Sequence, residues 1–136
     1  MKTLTASDLR EFLGALRRAW SIETSLQWLP HDPARGQGPV TALVFHDRFG
    51  GEILKTPVGD DWHFYNRMAG RVCDLAAEQF SELPAYLNIP SSRDEALAGS
   101  APERYQALAA RVSQALMTKY SDILDHAELR SIVQVC

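Results

Sequence analysis

Three short segments of this 136-residue chain carry residue types that could do chemistry together: Gly36-Gln37-Gly38-Pro39, Trp62-His63-Phe64-Tyr65-Asn66 and Cys73-Asp74. In order along the chain they read as a nucleophile position, a base and a carboxylate. The first lies where a loop ends and an apolar helix is expected to begin. Unpaired N–H groups and the helix dipole at such an end stabilise an anion or a thiolate. A cysteine at position 38 would there be a nucleophile of lowered pKa. His63 would act as its base, and Asp74 or Asn66 would orient the ring through the other nitrogen. Gln37 offers an amide donor for a developing oxyanion. Position 38, however, is glycine, which has no side chain to attack anything.

A plainer reading exists for each of these residues. Gly36 and Gly38 could supply turn geometry alone, and His63 could be an ordinary strand histidine. Thr41, about one turn into the helix, could reach the vacated site or bond back to the preceding turn. Trp62, beside His63, is the best candidate among the three tryptophans to line a cleft. Cys73 precedes Asp74 on a predicted strand, so the two side chains should point to opposite faces. That makes Cys73 a buried small hydrophobe rather than a substitute nucleophile. Cys136, the last residue, is expected to fray.

The elements that must position these residues follow from periodicity. Leu9, Phe12, Leu13, Leu16 and Trp20 recur at helical spacing, after a Thr5–Asp8 capping-box pattern. Residues 21–37 form a loop-rich stretch punctuated by prolines and glycines, with Trp28-Leu29 tucked inward. A second helix is expected from Pro39 to His46. Proline suits a first turn, and Val40–Phe45 is apolar nearly all round, as a central buried helix requires. Three short strands follow, Glu52–Thr56, Trp62–Arg67 and Arg71–Cys73, separated by turn residues as in an antiparallel meander. Asp74 should cap a short helix Leu75–Phe80. Residues 84–99 read as mixed loop. A long helix Pro102–Tyr120 should start at a Ser100–Glu103 capping box and carry a Tyr105, Leu108, Val112, Leu116, Tyr120 stripe. The tail 122–136 would hold a further helix or a strand at 131–135. The whole reads as a single α+β domain over 1–136, with a central helix on a small antiparallel sheet and flanking N- and C-terminal helices.

Composition excludes several function classes. A net charge of −3 does not suit broad nucleic-acid binding. No apolar run approaches the ~20 residues of a membrane span, and the first eight residues lack a signal peptide's apolar core. A cytoplasmic protein is therefore expected. Two cysteines far apart and four scattered histidines make no metal-binding spacing. No metal or cofactor is expected.

The stretch from Trp20 to Phe80 resembles the YunG-like family of small bacterial proteins of unassigned function. The resemblance rests on Trp20, Thr24-Ser25, Trp28, Gly36-Gln37, Thr41-Ala42-Leu43-Val44, Asp47, Gly50-Gly51-Glu52, His63, Tyr65-Asn66, Gly70, Asp74-Leu75 and Gln79-Phe80. The usual family pattern reads Gly-Gln-Cys, Thr-Ala, His-Tyr-Trp-Asn and Val-Asp-Leu-Thr, an order similar to papain-like and NlpC/P60-like cysteine enzymes. The resemblance implies a compact papain-like core. This chain departs from the pattern at Gly38, at Phe64-Tyr65 and at Ala76. The implied protein is degenerate or repurposed, holding a small molecule or peptide end in a cleft formed by Gln37, Gly38, Thr41, Trp62 and Asn66 with His63 and Asp74. The alternatives are a hydrolase or acyl-transfer enzyme that needs no protein thiol, and an interaction protein whose long helix packs on a partner or a second copy.

Overall fold

The computed structural model describes residues 4–118 and residue 136. The chain runs α1 (Ala6–Ala19), α2 (Gly38–Phe49), β1 (Glu52–Val58), β2 (Asp61–Met68), β3 (Arg71–Cys73), a single 3-10 turn (Ala77–Gln79), β4 (Ile89–Pro90), α3 (Arg93–Ala98) and α4 (Pro102–Met117). The four strands form one antiparallel sheet in the order β3-β2-β1-β4. The fold is α+β.

The helix α1 begins at a reciprocal capping box: Thr5 Oγ1 accepts from the Asp8 N–H, and the Asp8 carboxylate accepts from the Thr5 N–H. Its apolar stripe, Leu9, Phe12, Leu13 and Leu16, is buried. Each such side chain stabilises the fold by roughly 1.5–3 kcal/mol on leaving water. The stripe packs on α4 and, through the Phe12 ring edge-on to Phe45, on α2.

The central position of α2 follows from its all-round apolarity. Val40, Val44 and Phe45 enter a core shared with α1 and α4, while Ala42 and Leu43 enter a second cluster with Ile53, Phe64 and Ala96. The helix therefore stands between the helical layer and the sheet, with its N-terminus beside β2. Proline 39 sits in its first turn, and no side chain caps it.

Four expectations need correction. Residues 84–99 contain β4 and α3, the latter capped by Ser92, whose Oγ accepts from the Glu95 N–H. The Leu75–Phe80 helix is only the 3-10 turn, since Asp74 Oδ1 accepts from the Ala76 N–H and closes a local turn instead. The Ser100–Glu103 box does not form: the cap is Ala101, without a side-chain bond, and Pro102 opens α4. Leu108 and Val112 of the α4 stripe are buried against the protein's own core, so they are not available to dock a partner. Tyr120 and the elements expected at 122–135 lie outside the described residues.

The chain's last residue is not frayed. Cys136 is disulfide-bonded to Cys73, across 63 residues of sequence, and its carbonyl accepts from Arg71 Nε at 2.7 Å. Cys73 is buried on the core side, as strand alternation from Asp74 requires, but it is a cross-link rather than a lone small hydrophobe. No helix among the described residues is long and apolar enough to cross a membrane.

Candidate functional site

Side chains alternate along β2, so Phe64 and Asn66 face α2 while His63 and Tyr65 share the other sheet face. The segment after β3 returns across that second face. It brings Asp74, Phe80, Tyr86 and Asn88 over the two rings. Tyr65 is pinned there, its hydroxyl donating to Asn88 Oδ1 at 2.9 Å and accepting from the Asn88 N–H at 2.8 Å.

His63 and Asp74, 6% and 2% exposed, meet at 2.7 Å between Nε2 and Oδ2. Burial of a carboxylate is tolerable only when its lone pairs are used. Asp74 accepts from three donors: His63 Nε2, the Tyr86 hydroxyl at 2.7 Å, and the Ala76 N–H at 3.2 Å. With Nε2–H given to Asp74, a neutral His63 ring carries its lone pair on Nδ1. Nδ1 makes no hydrogen bond among the described residues. Phe80, edge-on at 4.8 Å, and Tyr65, stacked at 6.0 Å, hold the ring's faces.

Opposite Nδ1 stands Gly38. A Cβ built at position 38 would lie 2.8 Å from Nδ1 and 2.9 Å from Cε1 of His63. The imidazole is thus packed directly against the bare backbone at the start of α2. Gly38 is not among the positive-φ residues, so its glycine is needed for close approach rather than for backbone conformation. A side chain at position 38 would clash although the backbone conformation there is ordinary.

A cleft of about 500 Å³ opens at this contact, bordered by Gly36, Gly38 and Pro39 on one side and by Trp62, His63 and Phe80 on the other. The volume suits a small ligand. Trp62 is 48% exposed and lines it. Three other candidates do not. Gln37 is fully buried, its Oε1 accepting from Thr24 Oγ1 at 2.8 Å, which ties the 21–25 loop to the base of α2. Thr41 Oγ1 accepts from the Trp20 indole at 3.1 Å, and Asn66 Nδ2 donates to the Ala42 carbonyl at 3.0 Å. Each of these polar side chains satisfies an interior partner instead of facing the cleft. Among the described residues no group of three His, Cys, Asp or Glu is placed to hold a metal ion.

Tyr86 escaped the sequence reading because its loop has no periodicity, and only the fold brings it to Asp74. Burial, followed by the charge of Asp74 and the hydrogen bond to it, pushes the Tyr86 phenol well above the ordinary tyrosine range. The folded state then keeps a proton that the unfolded state releases above about pH 10. Stability should accordingly fall as pH rises through that region. Chemical denaturation across alkaline pH is expected to show a steeper loss for the wild type than for Tyr86→Phe; equal slopes would mean that folding does not raise the phenol's pKa.

An α+β core that packs an Asp-held histidine against the uncapped start of a buried helix defines the class. Residues 8–117 match the YunG protein family, and the chain belongs to it. It is 47% identical over 93 residues to a Bacillus subtilis (strain 168) relative described as "Uncharacterized protein YunG", covering 68% of this chain and 81% of the relative. No solved structure matches.

Proposed function

We propose that this protein binds a small molecule or the end of a peptide in the cleft at the start of α2, without forming a covalent bond to it. The observation that carries the reading is His63: a buried imidazole oriented by Asp74, whose Nδ1 borders the cleft and has no hydrogen-bond partner among the described residues. The order Gly38, His63, Asp74 supports a papain-like core in which the attacking position has become glycine. With no thiol at position 38, recognition is left and nucleophilic attack by the protein is not.

A second reading, hydrolysis or acyl transfer with water or a substrate group as nucleophile, draws support from the same oriented imidazole, which is built like a general base. The two separate in one experiment. Short peptides and generic esters are titrated into the protein while Gly38, His63 and Trp62 resonances are followed by NMR and product is measured. Binding without turnover, lost in His63→Ala and weakened in His63→Gln, is the expected result. Turnover abolished by His63→Ala would favour the enzyme instead. Ligand shifts that avoid the cleft would overturn both.

A further inference from the structure

Every fully charged side chain lining the cleft is acidic: Asp60 from the β1–β2 turn, Asp61 at the first position of β2, and Glu95 from α3. Glu95 already holds a cation, since Lys55 Nζ lies 2.6 Å from its carboxylate and 4.3 Å from the centroid of the Trp62 ring. That internal ammonium shows how this rim receives positive charge: a carboxylate on one side and an aromatic face on the other. Asp60 and Asp61 are exposed and make no ion pair among the described residues. Deeper in the same cleft lie Gly38, whose N–H at the uncapped start of α2 favours an oxygen ligand, and His63 Nδ1, an acceptor when the ring is neutral.

We propose that the cleft takes the amino-terminal end of a peptide, with the ammonium at Asp60 and Asp61, the first carbonyl oxygen at the start of α2, and the following amide N–H donated to His63 Nδ1. This rests on the reading of the cleft as a ligand site and adds the ligand's polarity. A carboxylate-terminated ligand has the same backbone atoms but meets the carboxylates of Asp60 and Asp61, while the Lys55 ammonium at the rim is already held by Glu95. A cationic amino end meets two carboxylates, an oxygen-binding helix start and an acceptor nitrogen in one cavity.

The test compares three probes by NMR titration at low salt: alanyl-alanine amide, its N-acetyl derivative, and N-acetyl-alanyl-alanine. The free amine should bind about fivefold or more tightly than the acetylated amide, the margin of roughly 1 kcal/mol that an exposed charge pair supplies. The preference should shrink with added salt and disappear in Asp60→Asn/Asp61→Asn, both exposed positions outside the core. N-acetyl-alanyl-alanine binding as well as or better than the amine would overturn the proposal and leave the cleft a ligand site. So would a preference that survives the double variant. Absence of any shift at Gly38, His63 and Trp62 with all three probes would overturn this proposal and the underlying reading together.

Discussion

A cysteine at position 38 is expected to destabilise the fold by about 1–3 kcal/mol, the usual cost of forcing atoms into a filled site, and truncation of His63 should remove much of that penalty. The new Cβ would stand 2.8 Å from His63 Nδ1 and 3.2 Å from the Phe64 carbonyl oxygen. The carbonyl belongs to a strand and yields little, so the imidazole must swing. It can do so only by straining its bond to Asp74 and its edge contact with Phe80. Urea unfolding of Gly38→Cys, His63→Ala and the double variant closes a cycle whose coupling should be favourable. The same proteins report on chemistry. Cys73 and Cys136 are bonded to each other, so without reductant the introduced thiol is the one available to iodoacetamide. Its alkylation should extend to lower pH with His63 present than absent, since an imidazolium beside a helix N-terminus stabilises the thiolate. A thiol titrating near the free value of about 8.5, indifferent to His63, together with an unstrained fold, would show that Gly38 is a turn residue and nothing more.

Opening the Cys73–Cys136 disulfide is expected to cost about 4 kcal/mol, the loop-closure entropy of a cross-link spanning 63 residues. Against the 5–15 kcal/mol typical of a domain, that is a large share. Cys136→Ser is the cleaner variant, because Cys73 is 1% exposed and a serine there would also bury a hydroxyl. Denaturant curves with and without reductant should differ for the wild type and coincide for Cys136→Ser. Two titratable thiols in the unreduced protein, with equal curves, would mean that the bond does not form in solution.

The helices α1 and α2 and the β1–β2–β3 meander were legible because each carries its own local signal: a heptad-like stripe, an apolar run behind a proline, and turn residues between short apolar strands. What escaped was short or non-local. Only Ala96 of α3 is buried, and β4 is two residues long, so neither leaves a periodic trace. The Ser92–Glu95 spacing was the available sign of α3. At the site, chain order picked out Gly38, His63 and Asp74, while the directions of Gln37, Thr41 and Asn66 depended on Thr24, Trp20 and Ala42, partners that no local pattern names. The disulfide was illegible for the same reason: two cysteines at opposite ends of a long interval carry no spacing rule.

The pairing of α1 with α4 sets a schedule for the growing chain. Arg111 Nε donates to the Ala19 carbonyl and Arg18 reaches the Ala115 carbonyl, so the exit of the first helix is closed by groups made some ninety residues later. During synthesis α2 can settle on the β1–β2 hairpin as soon as both have emerged from the ribosome. Leu9, Leu13 and Leu16 must wait with much of their surface wet until α4 follows. A nascent chain halted before Pro102 should therefore be the species most prone to capture by hydrophobic-surface-binding chaperones.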